Sequence, residues 1–295
     1  MRTELECLPC FFRQVSRTLS YAAVDPDLGK SISREASRIV ETASLDQAPA
    51  RISTLLHRLM RERTGMDPYR EVKETYNGIA LELLPVVRMR ASGAGEGGDR
   101  LAGAVRAAIA GNIIDFGIYE TIDLERSLRD SFELPLATTD YDLFARAVDR
   151  AERILYLCDN AGEIVFDRVL IEELRGRGKE VTAVVKGTPV INDATMDDAR
   201  ATGLADSAGR VIDNGNDGIG TLLEQCSPEF LEAYHDADLI VSKGQANFET
   251  LVPEQDERTF YLFKVKCPVV AAALGRPDGD IVLSACQSAS ACLRN

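Results

Sequence analysis

The sequence predicts an α/β protein with a helical N-terminal domain, residues 1–148, and a parallel-sheet domain, residues 149–295. In the first part of the chain, apolar residues recur at three- and four-residue spacing, as in Phe11, Val15 and Leu19, which indicates amphipathic helices. In the second part, short apolar runs alternate with helix-sized segments, which is the pattern of βα units. A chain of 295 residues is long enough for two such domains.

The elements can be assigned in chain order. The glycine-rich stretch from Ser92 to Gly98 predicts a surface loop, and Leu101 to Gly117 predicts an alanine-rich helix. The predicted strands are RILYL, VTAVVK, RVIDNG, DLIVSKG and FYLFKV. Between them, EIVFDRVLIEELRGRG, stopped by Gly176 and Gly178, and DGIGTLLEQCSPEFLEAYHDA predict helices. After Lys266, the runs PVVAAAL and IVLSAC flank a GRPDGD turn and predict a terminal hairpin.

Charge and composition exclude several classes of protein. With 47 acidic and 34 basic residues the net charge is −13, and no basic run is present, so we expect neither a nucleic-acid nor a membrane partner. The N-terminal MRTELECLPCFF is too polar for a signal peptide, and no window approaches ~20 apolar residues, so we expect a cytoplasmic protein. Seven cysteines scattered through apolar segments indicate reduced thiols rather than a disulfide framework.

The first candidate site follows the predicted strand RILYL. Asp159 and Asn160 come at the carboxyl edge of the predicted sheet, where open α/β folds bind their ligands. Their oxygens are hard donors suited to Mg²⁺ or Mn²⁺. In the alternative interpretation, Asn160 caps the next helix and Glu163 completes a capping-box-like arrangement. The two interpretations are compatible.

A second candidate site follows the strand VTAVVK. Asn192 and Asp193 lie on the connection that leaves this strand, and a divalent-metal site needs a further ligand from an adjacent strand. Asp197 and Asp198 have a different expected role. We predict that they are solvated acids in the first turn of a helix, where they complement its dipole.

Lysines and glycines supply the remaining candidates. Lys243 ends the strand DLIVSK, and Gly244 permits close backbone approach. Lys264 and Lys266 alternate in an otherwise apolar run, which is costly unless each lysine meets an anion or reaches solvent. Next to carboxylates and a metal, a phosphate is the expected anion. The glycines of RVIDNGNDGIG indicate a tight turn more strongly than a phosphate cradle.

The N-terminal CxxC offers a separate chemistry. Cys7 and Cys10 could bind zinc or act in redox reactions, but they supply only two ligands, and the chain adds only His57 and His235. We expect no role for them in the main reaction. Neither histidine is placed as the base of a serine or cysteine hydrolase, and no Walker A sequence is present.

Four motifs in this order, LCDNAGE, KGTPVINDAT, SKGQANFETL and FKVKCPVV, resemble the metal-dependent damage-control phosphatases, formerly a domain-of-unknown-function family. In the helical half, ECLPCFFRQ, YNGIALELLP and AAIAGNIID look like the prokaryotic branch that carries an N-terminal CxxC. The resemblance covers nearly the whole chain. It implies a helical domain packed on a Rossmann-like three-layer α/β/α domain, with the metal in the cleft between them.

The resemblance also implies roles for individual residues. The metal would be a divalent ion such as Mn²⁺, Co²⁺, Ni²⁺ or Mg²⁺. Asn112 and Asp115 match a motif of the helical half, whereas Phe263 and Lys264 replace the arginine and threonine of eukaryotic members, so their sugar-phosphate specificity is not transferred. The predicted site residues are Asp159, Asn160 and Asp193 for the metal; Ala161, Gly162, Lys243, Asn247 and Lys266 for the substrate; and Asp193 and Lys266 for catalysis.

These observations lead to one predicted function and two alternatives. The predicted function is a divalent-metal-dependent phosphatase that hydrolyses small phosphorylated metabolites, either sugar phosphates or damaged phosphometabolites. The alternatives are a carboxyl methyltransferase that uses S-adenosylmethionine, and a non-catalytic protein that binds phosphorylated ligands through a metal. The acidic ribose contact and glycine loop of the methyltransferase alternative are not convincingly placed. The sequence makes no prediction of the oligomeric state.

Overall fold

The computed structural model describes residues 1–93, 99–113, 132 and 140–292. A sheet of six strands lies at the centre of the described part. The strands are β1 (Arg153–Leu157), β2 (Glu180–Val185), β3 (Gly209–Asp213), β4 (Leu239–Lys243), β5 (Thr259–Lys264) and β6 (Ile281–Ala285). Their order is β3-β2-β1-β4-β5-β6, with β6 antiparallel to β5 and the other pairs parallel. The five strands predicted from short apolar runs between helix-sized segments are all confirmed.

The sheet register brings the candidate segments to one edge. Leu157 at the end of β1 pairs with Val184 of β2 and with Ser242 of β4. The residues that follow these strands, among them Asp159 and Lys186, therefore leave the sheet side by side. The chain direction of the crossovers reverses between β1 and β4, and this switch point is where open α/β sheets bind ligands.

Helices cover both faces of the sheet. One face carries α5 (Arg100–Ile113), α6 (Tyr141–Arg150), α7 (Glu163–Gly176), α8 (Met196–Ala201) and α9 (Leu204–Ala208). The other face carries α10 (Pro228–Asp236), α11 (Gln245–Leu251), α12 (Pro268–Leu274) and α13 (Cys286–Cys292). Both faces are buried, which explains why the strands are continuous apolar runs. The Rossmann-like three-layer arrangement is confirmed, and its cover includes α5, from before residue 149.

The other N-terminal helices are α1 (Cys7–Tyr21), α2 (Pro26–Thr42), α3 (Pro49–Thr64) and α4 (Arg70–Gly93). Proline occupies the first position of α2 and of α3, where its missing N–H costs no hydrogen bond. The first three helices share a small core that contains Phe11, Val15, Ile32, Ile52 and Leu56. Helix α4 packs instead with α5 and α7, so it joins this helical bundle to the sheet.

Three segments differ from the sequence predictions or lie partly outside the described residues. The terminal hairpin is wrong: PVVAAAL forms α12, with Pro268 at its start and Gly275 in the left-handed conformation (φ +61°) at its end. The helix predicted over DGIGTLLEQ is also wrong, because the segment holds only the 3₁₀ turn Leu223–Gln225 and Gly220 has φ +71°. Ser92 and Gly93 end α4, and the rest of the predicted glycine-rich loop lies outside the described residues.

Within the described ranges, none of the helices has both the length and the apolar character of a membrane span. Six of the seven cysteines have described side chains, and all six are free thiols.

Candidate active site

The two predicted metal-binding segments are joined to each other by their backbones. The amide of Ala161 donates to the Asn192 carbonyl (2.8 Å), and the amide of Ala194 donates to the Asp159 carbonyl (2.8 Å). These bonds make Asn160 and Asp193 partners in an antiparallel bridge. Asp193 therefore lies beside Asp159 and Asn160 although more than thirty residues separate them in sequence.

The Asn160 side chain is oriented by two carboxylates. Its Nδ2 donates to Asp159 Oδ2 (2.7 Å) and to Glu163 Oε2 (3.1 Å). Both protons of the amide nitrogen are thereby used, and the amide oxygen is the atom through which Asn160 can bind a cation. The helix-cap alternative is not what the structure shows, because Gly162 occupies the N-cap position of α7 and no side chain caps it.

Asp193 carries a buried oxygen atom without a hydrogen-bond donor. Among the described residues, no group donates a hydrogen bond to its Oδ2 atom, and the nearest cation is Lys186, whose Nζ lies 3.5 Å away. Burial raises the pKa of Asp193 to about 6, although Lys186 opposes the shift. Burial, followed by the charges of Glu163 and Asp193, raises the pKa of Asp159 well above its usual range. The site concentrates negative charge that a divalent cation would neutralise.

The donor set fits a hard divalent cation rather than zinc. Two carboxylates and one amide oxygen suit Mg²⁺ or Mn²⁺, which bind few protein oxygens and retain water in the remaining positions. Within the described part of the chain, no three His, Cys, Asp or Glu side chains converge as a metal-binding group. The residues that would hold the ion are thus Asp159, Asn160 and Asp193.

These three residues lie on the wall of a cavity of about 350 Å³. The cavity lies between α1 and α3 on one side and the carboxyl edge of the sheet on the other. This volume suits a small metabolite. Other residues that line it are Cys7, Cys10, Arg13, Gln14, Ile191, Asn192, Gln245, Glu249, Lys266 and Cys267.

Lys266 faces the same cavity. Its side chain is exposed, and its positive charge opposes the rise in the pKa of Asp159 that burial causes. Its backbone amide donates to Gln245 Oε1 (3.2 Å), which fixes the segment that follows β5 against α11. The structure therefore brings Lys266 together with the three oxygen donors.

Lys243 does not lie on the cavity wall, contrary to the sequence prediction. Its side chain is fully buried, and its Nζ donates to Glu163 Oε1 (2.5 Å), Asp167 Oδ1 (2.5 Å) and the Ala108 carbonyl (2.9 Å). Burial alone would lower the pKa of Lys243, but the two carboxylates outweigh it and raise that pKa. All three ammonium protons are used, so this lysine has none left for a phosphate.

The other predicted substrate contacts are also used within the protein. Asn247 is buried, and its Nδ2 donates to the Lys243 carbonyl (2.8 Å) and the Cys158 carbonyl (3.3 Å), which joins the ends of β4 and β1. The amide of Ala161 serves the backbone bridge described above. The amide of Gly162 donates to Asn77 Oδ1 (2.7 Å). These contacts build the edge of the sheet, and they leave none of the three groups for a phosphate.

The close approach predicted at Gly244 is confirmed. A Cβ atom at this position would lie 2.0 Å from Asp159 Oδ2, and the backbone has φ +78°, which favours glycine. The glycine therefore makes room for a proposed metal ligand.

Comparison with known proteins bears on the whole chain. Residues 3–282 match the damage-control phosphatase ARMT1-like domain. The chain belongs to this family. It is 35% identical to the damage-control phosphatase PH1575 of Pyrococcus horikoshii over all of this chain and 99% of that protein. It is 39% identical to the uncharacterized protein MJ0202 of Methanocaldococcus jannaschii, over 94% of this chain and 93% of that protein.

A solved structure supports the same assignment. The crystal structure of the DUF89 family protein PH1575 superposes with a TM-score of 0.87 at 34% identity, covering 97% of this chain and 99% of that one. A damage-control phosphatase of Archaeoglobus fulgidus is 33% identical over 94% of this chain and 96% of its own length. The resemblance inferred from the motifs is confirmed.

The structure corrects the predicted role of Asp198 and adds two residues, Lys186 and Asn77, that the sequence did not single out. Asp198 is buried and accepts from Asn77 Nδ2 (2.8 Å) and Lys73 Nζ (3.3 Å), so the prediction of a solvated acid holds only for Asp197. Lys186 comes directly after β2, at the same edge of the sheet where Lys243 ends β4. This position in the sequence could have identified Lys186 as a candidate site residue. Asn77 gave no such signal, because its contact with Gly162 depends on how α4 packs.

The two cysteines of the CxxC lie on the cavity wall. Cys7 is buried and Cys10 is partly exposed, and both line the cavity as free thiols. Burial raises the pKa of Cys7, which disfavours a reactive thiolate.

Asn112 lies in α5 without a described side chain, and Asp115 lies outside the described residues.

Proposed function

We propose that this protein is a divalent-metal-dependent phosphatase that hydrolyses a small phosphorylated metabolite in the cavity beside Asp159. One observation carries the proposal: the backbone bridge brings Asp159, Asn160 and Asp193 to one point of a cavity that Lys266 also lines. The names of the relatives from Pyrococcus and Archaeoglobus agree with it.

The residues of the site would bind the metal, hold the phosphate or orient a metal ligand. A divalent ion bound by the three oxygen donors would polarise the phosphoryl group and favour attack by water. Lys266 holds the substrate phosphate as a point charge, and its exposed side chain can reach a ligand that enters from solvent. Asn160 is kept in its orientation by Glu163, which Lys243 in turn holds in place. Loss of a hydrogen bond that orients a metal ligand commonly weakens metal affinity by about 10–100-fold.

The size and lining of the cavity favour a small substrate. About 350 Å³ accommodates a metabolite of the size of a sugar phosphate but not a folded protein or a nucleic-acid duplex. The net charge of −13 also disfavours polyanionic partners.

The test is a phosphatase screen over sugar phosphates and damaged phosphometabolites with Mn²⁺, Co²⁺, Ni²⁺ or Mg²⁺, and with a chelator as control. We expect phosphate release that requires the metal and that falls at least about 100-fold in Asp159→Asn, because the variant loses a charged ligand. Asp197→Asn, an exposed acid paired with Arg200, serves as the matched control and retains activity.

Two outcomes would contradict the proposal. Saturable metal-dependent binding of phosphosugars without any release of phosphate would instead identify a binding protein. Undiminished metal-dependent activity in a folded Asp159→Asn variant would place the reaction elsewhere in the molecule.

A further inference from the structure

The cavity contains a buried carboxyl group that the proposed metal site does not use. Of the described residues that line the cavity, four are acidic: Glu6, Asp159, Asp193 and Glu249. Asp159 and Asp193 are proposed metal donors, and Glu6 is exposed to solvent. The side chain of Glu249 is different, because the residue is only 8% exposed and yet borders the substrate cavity.

Glu249 is held in place from two sides. Gln245, one helical turn earlier in α11, donates from Nε2 to Glu249 Oε1 (3.1 Å). The backbone amide of Ala50, at the start of α3, lies close enough to its carboxyl group to lower the pKa of Glu249. Gln245 accepts in turn from the backbone amide of Lys266 (3.2 Å). A single glutamine thus connects the carboxyl group to the segment that carries the phosphate-binding lysine.

Burial makes Glu249 easier to protonate than an exposed glutamate. It raises the pKa of Glu249 and outweighs Gln245, the positive charge of the Met1 amino group and the amide of Ala50, which all lower that pKa. The Met1 amino group also donates to the Glu249 backbone carbonyl (3.2 Å). Only a protonated carboxyl group can donate a proton to a leaving group. Glu249 combines a fixed orientation with a place on the cavity wall, and a proton donor needs both.

We propose that Glu249 is the general acid that protonates the leaving alcohol, an inference that rests on the phosphatase function proposed above. The oxygen of water forms a bond to phosphorus, and the bond between phosphorus and the ester oxygen breaks. The carboxyl proton of Glu249 passes to that ester oxygen, so the product leaves as a neutral alcohol. The proton lost by the attacking water restores the carboxyl group, and the net products are the alcohol and hydrogen phosphate.

A purely structural role for Glu249 makes a different prediction. Because the carboxyl group of Glu249 interacts with the amide of Ala50, it also stabilises the start of α3. Loss of that contact would lower the activity on every substrate by the same factor. Loss of a general acid instead depends on the leaving group, since a good leaving group departs without protonation.

The experiment compares Glu249→Gln with wild type on 4-nitrophenyl phosphate, a good leaving group, and on benzyl phosphate, a poor one. We expect kcat to fall by about 100-fold or more on benzyl phosphate and by less than about 5-fold on 4-nitrophenyl phosphate. Glu254→Gln, an exposed acid on the turn that follows α11, is the matched control and should leave both rates unchanged.

Each outcome has one interpretation. An equal loss on both substrates, or no loss on benzyl phosphate, overturns the assignment of Glu249 while the phosphatase function stands. If wild-type protein hydrolyses neither ester nor any compound of the metabolite screen, the proposed function fails and the general acid fails with it.

Discussion

Two lysines near the same edge of the sheet have opposite environments. Lys243 is fully buried between Glu163 and Asp167, whereas Lys266 is exposed in the cavity. Both follow apolar runs in the sequence, so a pattern of residues cannot separate them. The difference arises from α5, whose Ala108 carbonyl accepts a hydrogen bond from Lys243. Ala108 is more than a hundred residues away from Lys243 in the sequence, so no local pattern indicates this contact.

The two lysines should respond differently to removal of their charge. Lys243→Met leaves two buried carboxylates without a cation, which should lower the free energy of unfolding by about 3–5 kcal/mol. Lys266→Met should change it by less than about 0.5 kcal/mol but raise KM for the phosphate substrate. Urea unfolding and steady-state kinetics measure the two effects. A stable Lys243→Met variant with only a raised KM would restore the role that the sequence predicted for this residue.

Gly244 permits a second test at a single residue. Gly275 also has a positive φ (+61°), but its ψ of 35° puts it in the left-handed helical region, whereas Gly244 has ψ 158°. An added Cβ at Gly275 meets nothing within 4 Å, so Gly275→Ala should cost only about 1–2 kcal/mol. Gly244→Ala adds a clash with Asp159 Oδ2 and should also reduce phosphate release about 100-fold, because the ligand is displaced. Enzyme activity at a temperature where both variants are folded distinguishes them. Equal activity in the two variants would show that Asp159 need not hold this position.

At the scale of elements, α3 connects the helical bundle to the sheet. Arg58 and Arg61 both pair with Asp217, on the connection after β3. His57 lies on the same helix but is buried, and no described group makes a hydrogen bond with its Nε2 atom. Burial, with the charge of Arg61 second, lowers the pKa of His57 from 6.5 to about 3.

The buried histidine predicts acid sensitivity. Between pH 6.5 and about 3 the unfolded chain binds a proton at His57 that the native protein does not, so stability falls as the pH is lowered. The loss is about 2 kcal/mol by pH 5. Urea unfolding from pH 7 to 5 should show a smaller loss in His57→Gln than in wild type. His235→Gln, at an exposed position, is the control, and an unchanged pH dependence in His57→Gln would contradict the account.

A helix or strand can be predicted from the sequence when a local pattern of residues determines it. The strands are fixed by continuous apolar runs, and β1 was predicted residue for residue as RILYL. The terminal hairpin failed because PVVAAAL is apolar throughout and carries no period that separates a helix from a strand. Asp159, Asn160 and Lys266 could be placed because they lie within three residues of the end of a strand, and Asp193 because it lies on the connection that leaves β2. Asn77 and Glu249 could not, because packing between distant helices brings them to the site.

At the scale of the molecule, the helical bundle and the sheet share polar contacts close to the site. Asn77 of α4 accepts the Gly162 amide and donates to Asp198, while Lys73 pairs with Asp198 and with Asp67. The cavity exists only because the two parts of the chain are held together. Its floor is formed by segments that follow the strands, and its opposite wall by α1 and α3.

Truncation of Asn77 tests this connection. Asn77→Ala leaves the Gly162 amide and one oxygen of Asp198 without their partners, so the free energy of unfolding should fall by about 2–4 kcal/mol. Asn192→Ala, at a partly exposed position whose backbone makes the bridge, should cost less than about 1 kcal/mol. Urea unfolding measures both values. Equal losses would mean that the contact between α4 and the loop after β1 contributes little to stability.

The most direct test of the account is the affinity for Mn²⁺ of chelator-treated protein, measured by calorimetry for wild type, Asp193→Asn and Asp197→Asn. Asp193 is the donor supplied from the second strand, whereas Asp197 is exposed in the same segment and paired with Arg200. We predict that wild type and Asp197→Asn bind one ion per chain with equal affinity and that Asp193→Asn binds it at least about 10-fold more weakly. Binding by Asp193→Asn as tight as that of wild type would contradict the account.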